Sequence, residues 1–382
     1  MFLLKISNPC VLLIVFSLLT LLSTTLQILN LLRAFSKNEG SFSRDQIIAW
    51  HEVPDFICHE DVTRIRSRCD FNLEYGNASG YKGPIISGWP PSKSRRIEDY
   101  IPRGYEKPGR VFPKNLNLQN TRFLIIIHSR WKSFETRRVI RETWGKTLKA
   151  LNRNSSYIFI LGMTKAPHYL DDQLKEEIQA HGDIFQGDFI DSYNNLTLKS
   201  ISALKFITKT ASWRNKPRRL LKVDDDVFLN VPLLLKTVFS PLIWCREPYL
   251  SGVILGNFTP HIVLPGTRRV TKWGVPSYML SEGTYPSFLS GSAYLFSFAT
   301  AECLFQEAYH IPYFHLEDIF ITSFTATRCN IEIQPLKGIV HWRTRRNRVI
   351  LAKSFALHYS NKEEMKSLHR KVMELYQLDL DP

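Results

Sequence analysis

Six cysteines in 382 residues are too few for a disulfide-dense scaffold. No internal repeat and no low-complexity tract interrupts the chain, which excludes repeat arrays and compositionally driven disorder. The calcium-loop pattern D-x-[DN]-x-[DN]-G is missing too. Acidic residues are the scarce charge: 35 Asp and Glu stand against 50 Lys and Arg, for a formal net charge of +15. An excess of that size suits nucleic acid, an anionic membrane surface or a phosphate-bearing small molecule as partner. What the chain has in quantity is apolar surface, 44% hydrophobic and 12% aromatic. That is enough to bury a core in one large domain or two.

One apolar run is long. Cys10 to Leu32 is 23 residues without a charge, between Lys5 and Arg33. As a helix it reaches about 34 Å, against roughly 30 Å of hydrocarbon in a bilayer. It exceeds a signal-peptide core of about 7–15 residues and no A-x-A-like site follows, so a membrane signal-anchor is expected rather than a cleaved leader. Four N-x-[ST] sequons follow, at Asn77, Asn154, Asn195 and Asn257, and fit a lumenal body in a type II arrangement. That topology removes nucleic acid from the partners. Cys58, Cys69, Cys245, Cys303 and Cys329 would then lie in an oxidising lumen with room for two disulfides and one thiol, the pairing open. From Arg33 to about Leu118 no helical or strand period is sustained and Pro and Gly cluster, which reads as a stem, partly ordered at most. The expected division is a cytoplasmic tail (1–9), an anchor (10–32), a lumenal stem (33–118) and a body (119–382).

The body opens on TRFLIIIH, a short apolar run suited to a buried parallel strand. FETRRVIRETWG reads as a helix with Arg137 and Arg141 on one face. SYIFILG (156–162) and RRLLKVD (218–224) read as strands, and 195–212 and 231–239 as helices, Pro232 falling near the first turn of the second. YLSGVILG and SGSAYLFSF supply later strands, and HLEDIFITSFTAT a helix start. Alternating strands and helices predict an α/β domain around a mainly parallel sheet. Ligands bind such sheets at the carboxyl ends of the strands.

There, in LLKVDDDVFLN, stand Asp224, Asp225 and Asp226. Three adjacent carboxylates repel one another unless solvated or neutralised by a cation. Hard oxygen ligands at a strand end suit Mg²⁺ or Mn²⁺, which can bridge a diphosphate. A solvated acidic turn is the competing reading, and the apolar residues on both sides weigh against it.

With RRVIRETWG, DFIDSYNNLTLKS, LLKVDDDVFLN, KWGVPSYMLSEGTYPSFLSGSAYLFS and HLEDIF in order across 121–342, the chain resembles the β1,3-galactosyltransferase-like glycosyltransferases of family 31. These are Golgi type II membrane enzymes. The resemblance implies a GT-A-like fold, a UDP-sugar donor, a glycan acceptor, a divalent ion (usually Mn²⁺) and inversion at the anomeric carbon. It assigns Asp224 and Asp225, with Lys222, Arg137 and Arg141, to the donor, and Asp226 to the metal. It makes Asp318 the base and Glu317 a carboxylate orienting the acceptor. Tyr285, Gly291 and Tyr294 go to the sugar or acceptor, and His341 to the metal as a late histidine. Asp188, Asp191 and Tyr193 match without a role. Ala293 replaces a glycine common in the family, and the G-x-C that often follows the E-D motif is absent, which leaves donor sugar and acceptor open. The expected activity is transfer of galactose or N-acetylgalactosamine. Transfer of N-acetylglucosamine, or a non-catalytic lectin-like or chaperone relative, is the alternative, and homo-oligomerisation is left open. The basic excess concentrates in 130–153, 214–222 and 341–348, each beside a proposed donor element.

Overall fold

The structure, a computed structural model, describes residues 81–378 except 105–108, 119, 166–167, 211–216, 241–246, 257–261, 264–270 and 281–284. The expected tail and anchor, and the sequons at Asn77 and Asn257, lie outside the described residues. Among the described residues no helix is long and apolar enough to cross a membrane.

Among the described residues twelve strands follow in order: β1 (Phe123–His128), β2 (Ser155–Met163), β3 (Ile184–Ile190), β4 (Arg219–Asp224), β5 (Phe228–Leu229), β6 (Leu250–Leu255), β7 (Ile262–Val263), β8 (Val275–Pro276), β9 (Phe288–Ser297), β10 (Ile333–Pro335), β11 (Ile339–Val340) and β12 (Ala356–Leu357). The main helices are α1 (Phe134–Glu142), α2 (Trp144–Leu151), α3 (His168–His181), α4 (Leu196–Thr210), α5 (Val231–Val238), α6 (Phe298–Glu307), α7 (Glu317–Ile319), α8 (Arg348–Lys353) and α9 (Lys362–Tyr376). The helix expected from FETRRVIRETWG breaks at Thr143 into α1 and α2.

A seven-stranded sheet runs β10-β6-β9-β4-β1-β2-β3. Its pairs are parallel except where β9 meets β4 and β6. The mainly parallel sheet flanked by helices is as the sequence led one to expect. Every residue of β1 is buried because both faces are covered: Phe123, Ile125 and Ile127 join one core, and Leu124 and Ile126 the other.

Part of the segment expected as stem packs against the body. Ile86, Trp89, Ile97, Ile101 and Leu118 are buried in the same core as α4 and α6. Trp89 stacks on Tyr313 with centroids 3.3 Å apart, and its Nε1 donates to Asn195 Oδ1 at 2.7 Å. Arg95 donates to the carbonyls of Tyr313 and Tyr278. Residues 110 and 111 hydrogen-bond Gln186 of the edge strand β3. The described residues between 81 and 118 form a strap over the body, and its Pro102 carbonyl takes up Lys205 of the buried helix α4.

Cys303 and Cys329 form a disulfide that joins α6 to the chain beyond α7, with Cα atoms 5.8 Å apart.

Candidate active site

The site sits at the carboxyl ends of β1 and β4, where register places His128 beside Asp224. Past β1, the turn at 129–131 is held from four sides. Lys199 and Arg137 donate to the Ser129 and Arg130 carbonyls. Asp191 accepts from Trp131 N at 3.1 Å, and Asp225 from Ser129 Oγ at 2.8 Å. Asp191, matched in sequence without a role, is thus the partner of this turn and of Lys199.

Past β4, the three aspartates go separate ways. Asp224 pairs with Lys222 at 2.6 Å. Asp225 is turned inward, and its pKa is raised by burial. Asp226 faces His358 Nε2 at 3.4 Å. Burial pushes Asp226 up, but the hydrogen bond and charge of His358 outweigh it and leave the carboxyl lowered. Burial pulls His358 down, and Asp226 in turn holds it raised. One ligand atom from each of Asp224, Asp226 and His358 lies within 4.8 Å of the others. Two carboxylate oxygens and an imidazole nitrogen fit a divalent ion such as Mn²⁺.

His358 replaces His341 in that group. The small sheet β11-β12-β5 explains why. β12 lies antiparallel to β5 with Leu357 opposite Phe228, so His358 emerges beside Asp226. β11 lies on the far side, with Val340 opposite Leu357, so β12 stands between His341 and the aspartates. His341 instead offers its carbonyl to His358 Nδ1 at 3.1 Å, which aims Nε2 at Asp226. Tyr359, in the left-handed conformation (φ 58°), stacks on the imidazole at 3.8 Å. A non-glycine residue there costs about 1–3 kcal/mol, the kind of strain that concentrates at functional sites.

Behind the aspartates is a buried polar core. Glu317 is 5% exposed and accepts from Tyr294 Oη at 2.8 Å and from Ser200 Oγ. Lys222 Nζ lies 3.9 Å from its other oxygen and donates to the Gly291 carbonyl. Burial lowers Lys222, but Asp224 and Glu317 outweigh that and leave it raised. Asp318, one residue on, lies against Gly291, where a Cβ would meet Asp318 Cβ at 3.2 Å and Oδ2 at 3.4 Å. Burial, then the charge of Glu317, lifts its carboxyl to about 7. The π-helical turn Phe320–Thr325 follows α7 directly, and Thr322 Oγ1 donates to the Asp318 carbonyl while accepting from Leu289 N of β9.

Several assignments change accordingly. Arg137 is 0% exposed, and its guanidinium is taken up by Glu177, Ser129 and the carbonyls of Arg130 and Trp131. Arg141 is held by Glu177 and, through two bonds, by Asp183. Arg137 holds the turn after β1, and both arginines tie α1 to α3 through Glu177, so both charges are met by protein carboxylates. Lys222 likewise ties β4 to Glu317. Glu317 points into the interior and Tyr294 is a core residue at 2% exposure, so neither reaches an acceptor. Tyr285 is buried near Asp318, its hydroxyl without a hydrogen-bond partner among the described residues. Tyr193 is exposed, its hydroxyl pushed up to about 12 by burial and then by Asp318 and Asp224. Asn154 is half-buried at the start of β2. At Asn195 the sequon is absorbed into the fold: its amide accepts from Trp89 and donates to Ile190 O, and Thr197 is buried on the Phe314 carbonyl.

A group able to hold a divalent ion thus stands next to a carboxyl raised toward neutrality, at the carboxyl edge of a mainly parallel sheet. The sequence model described as Galactosyltransferase matches residues 135–337. Beta-1,3-galactosyltransferase 1 of Mus musculus is 29% identical over 248 residues, covering 65% of this chain and 73% of the relative, with the same figures for Homo sapiens. Beta-1,3-galactosyltransferase 2 of Mus musculus is 28% identical over 234 residues, covering 60% and 54%. Among solved structures, the WbbM bifunctional glycosyltransferase gives a TM-score of 0.36 at 12% identity, covering 70% of this chain and 53% of that one. Mouse xyloside xylosyltransferase 1 gives 0.30 at 11%, covering 62% and 96%. Likenesses that distant carry no weight here. The chain belongs to the galactosyltransferase family and is a glycosyltransferase.

Proposed function

We propose that the chain is an inverting β1,3-hexosyltransferase of GT-A type that moves galactose or N-acetylgalactosamine from a UDP-sugar to a hydroxyl of a glycan acceptor. The observation that carries this is Asp318, raised to about 7 at the same edge of the sheet as Asp224, Asp226 and His358. Inverting transfer needs a base on the face opposite the leaving group. Asp318 takes the acceptor hydroxyl proton as that oxygen bonds to the anomeric carbon, while the bond from this carbon to the diphosphate oxygen breaks and UDP departs. Gly291 leaves the space the base occupies, and Glu317, Tyr294 and Lys222 fix the backbone beside it. A Mn²⁺ or similar ion bound by Asp224, Asp226 and His358 supplies charge neutralisation for the departing diphosphate.

The relatives' names support a β1,3-linkage and galactose. The apolar run 10–32 and the sequons support a single-pass type II protein of the Golgi membrane with its body in the lumen. On this reading Ile86, Trp89, Ile97, Ile101 and Leu118, which pack on the body, belong to the catalytic domain.

The test is incubation of the purified full chain with UDP-galactose, UDP-N-acetylgalactosamine and UDP-N-acetylglucosamine, with β-linked acceptors, Mn²⁺ or EDTA. Expected is a β1,3-linked product from one of the first two donors that disappears in EDTA. Full turnover in EDTA refutes the ion, and an axial product refutes inversion.

A further inference from the structure

The proposed donor carries a diphosphate, yet Arg137, Arg141 and Lys222 are all engaged by protein carboxylates. A different cation stands beside the aspartate–histidine group. Arg346 lies in the loop between β11 and α8, half-buried, and its Nη2 donates to the carbonyl of His358. Its Nη1 is buried without a hydrogen-bond partner among the described residues. Of the charged groups facing it, Glu364 favours its charge and Arg343 opposes it, and burial leaves the guanidinium lowered. Glu364 is engaged elsewhere, accepting from Asn361 N as part of the α9 cap and lying 3.8 Å from Arg343. Arg343 adds like charge, and His358, on its other side, is turned to Asp226. Close by, His341 Nδ1 is also buried and unpartnered among the described residues.

A guanidinium nitrogen out of water with no acceptor is costly, and it persists where a ligand completes it. Arg presents a planar fork that matches phosphate oxygens. Arg346 bonds the backbone carbonyl of His358, while the imidazole Nε2 of the same residue faces Asp226.

We propose that Arg346 is a donor-binding residue: its free Nη1 receives a phosphate oxygen of the nucleoside diphosphate, holding the diphosphate against Asp224, Asp226 and His358 and stabilising it as it leaves. The proposal rests on the donor reading above. It is tested by equilibrium binding of UDP, of uridine and of Mn²⁺ alone to the full chain, for wild type, Arg346→Gln, Arg346→Lys and the neighbouring Arg343→Gln. A lost charge-assisted bond predicts UDP affinity down about 10- to 100-fold in Arg346→Gln. Uridine, which has no phosphate, and Mn²⁺ alone should change less than about twofold. Arg346→Lys should recover part of the loss, and Arg343→Gln should match wild type. Unchanged UDP affinity in Arg346→Gln overturns the proposal. So does a loss shared equally by uridine or by Mn²⁺, since Arg346 would then only support His358 or the fold. Wild-type chain that binds no UDP defeats the donor reading itself, whereas wild type and Arg346→Gln binding UDP alike defeat the Arg346 assignment alone.

Discussion

Replacing Asp318 by Asn separates what the site does for the reaction from what it does to the fold. The carboxyl titrates near 3.8 in an unfolded chain and at about 7 in the folded one. Between those values the native state holds a proton that the unfolded state has lost, so the stability associated with Asp318 is complete below pH 4 and falls as pH rises through 7. At about 1.4 kcal/mol per tenfold change in proton affinity, the ceiling is about 4 kcal/mol. Partial exposure of the carboxyl brings the expected figure to about 1–3 kcal/mol. Asn keeps the Oδ1 that accepts from Ile319 N and never ionises. The variant should therefore unfold at higher denaturant than wild type at pH 8, by about 1–3 kcal/mol, with the difference shrinking to nothing near pH 4. Transfer should fall about 10²- to 10⁴-fold, the usual contribution of a general base. In wild type kcat/KM should drop tenfold per pH unit below about 7. Urea unfolding of both proteins from pH 4 to 8.5, beside a pH–rate profile, measures each part. A variant no more stable than wild type at pH 8, or a stability difference that ignores pH, refutes the raised carboxyl; retained turnover refutes the base.

Gly291→Ala places a methyl 3.2 Å from Asp318 Cβ, and shifting the base by a few tenths of an ångström should lower kcat/KM about tenfold with UDP affinity intact. His358→Ala should raise the Mn²⁺ concentration for half-maximal rate by about a hundredfold or more. His341→Ala, which keeps the carbonyl that His358 uses, should raise it less than tenfold; the reverse order would return His341 to the ion. Trp89→Ala should cost about 3–5 kcal/mol in chemical denaturation, and a chain begun at 119 should fail to fold where one begun at 81 succeeds. Equal stability of the two truncations would make the strap dispensable.

The sheet was legible because apolar runs such as FLIIIH have one physical use, burial on both faces. The acidic triplet was legible because a polar knot between apolar flanks is held at a strand end. What could not be read was pairing across long separations. Nothing in ALHYS marks His358 as a partner of Asp226; two-residue strands leave no period, and only the order of three of them chooses His358 over His341. The strap is not legible because its anchors, Trp89 and Arg95 among them, bind residues some hundred or more positions away and follow no repeat. Arg137 and Arg141 do share a helix face, but their partners Glu177 and Asp183 lie some forty positions on. For that reason the basic excess in 130–153 looked like a phosphate site when part of it is internal.

The loop closed by Cys303 and Cys329 spans 26 positions and encloses both Glu317 and Asp318. A link of that length removes about 3–4 kcal/mol of freedom from the unfolded ensemble on the chain-entropy view, and it does so for the segment that bears Asp318, the proposed base. That segment cannot swing away as a free strand between two distant ends; it can loosen only together with α6. A thiol reductant that opens this link frees the segment around Asp318, and on the proposed reading inactivation on reduction should precede unfolding of the sheet.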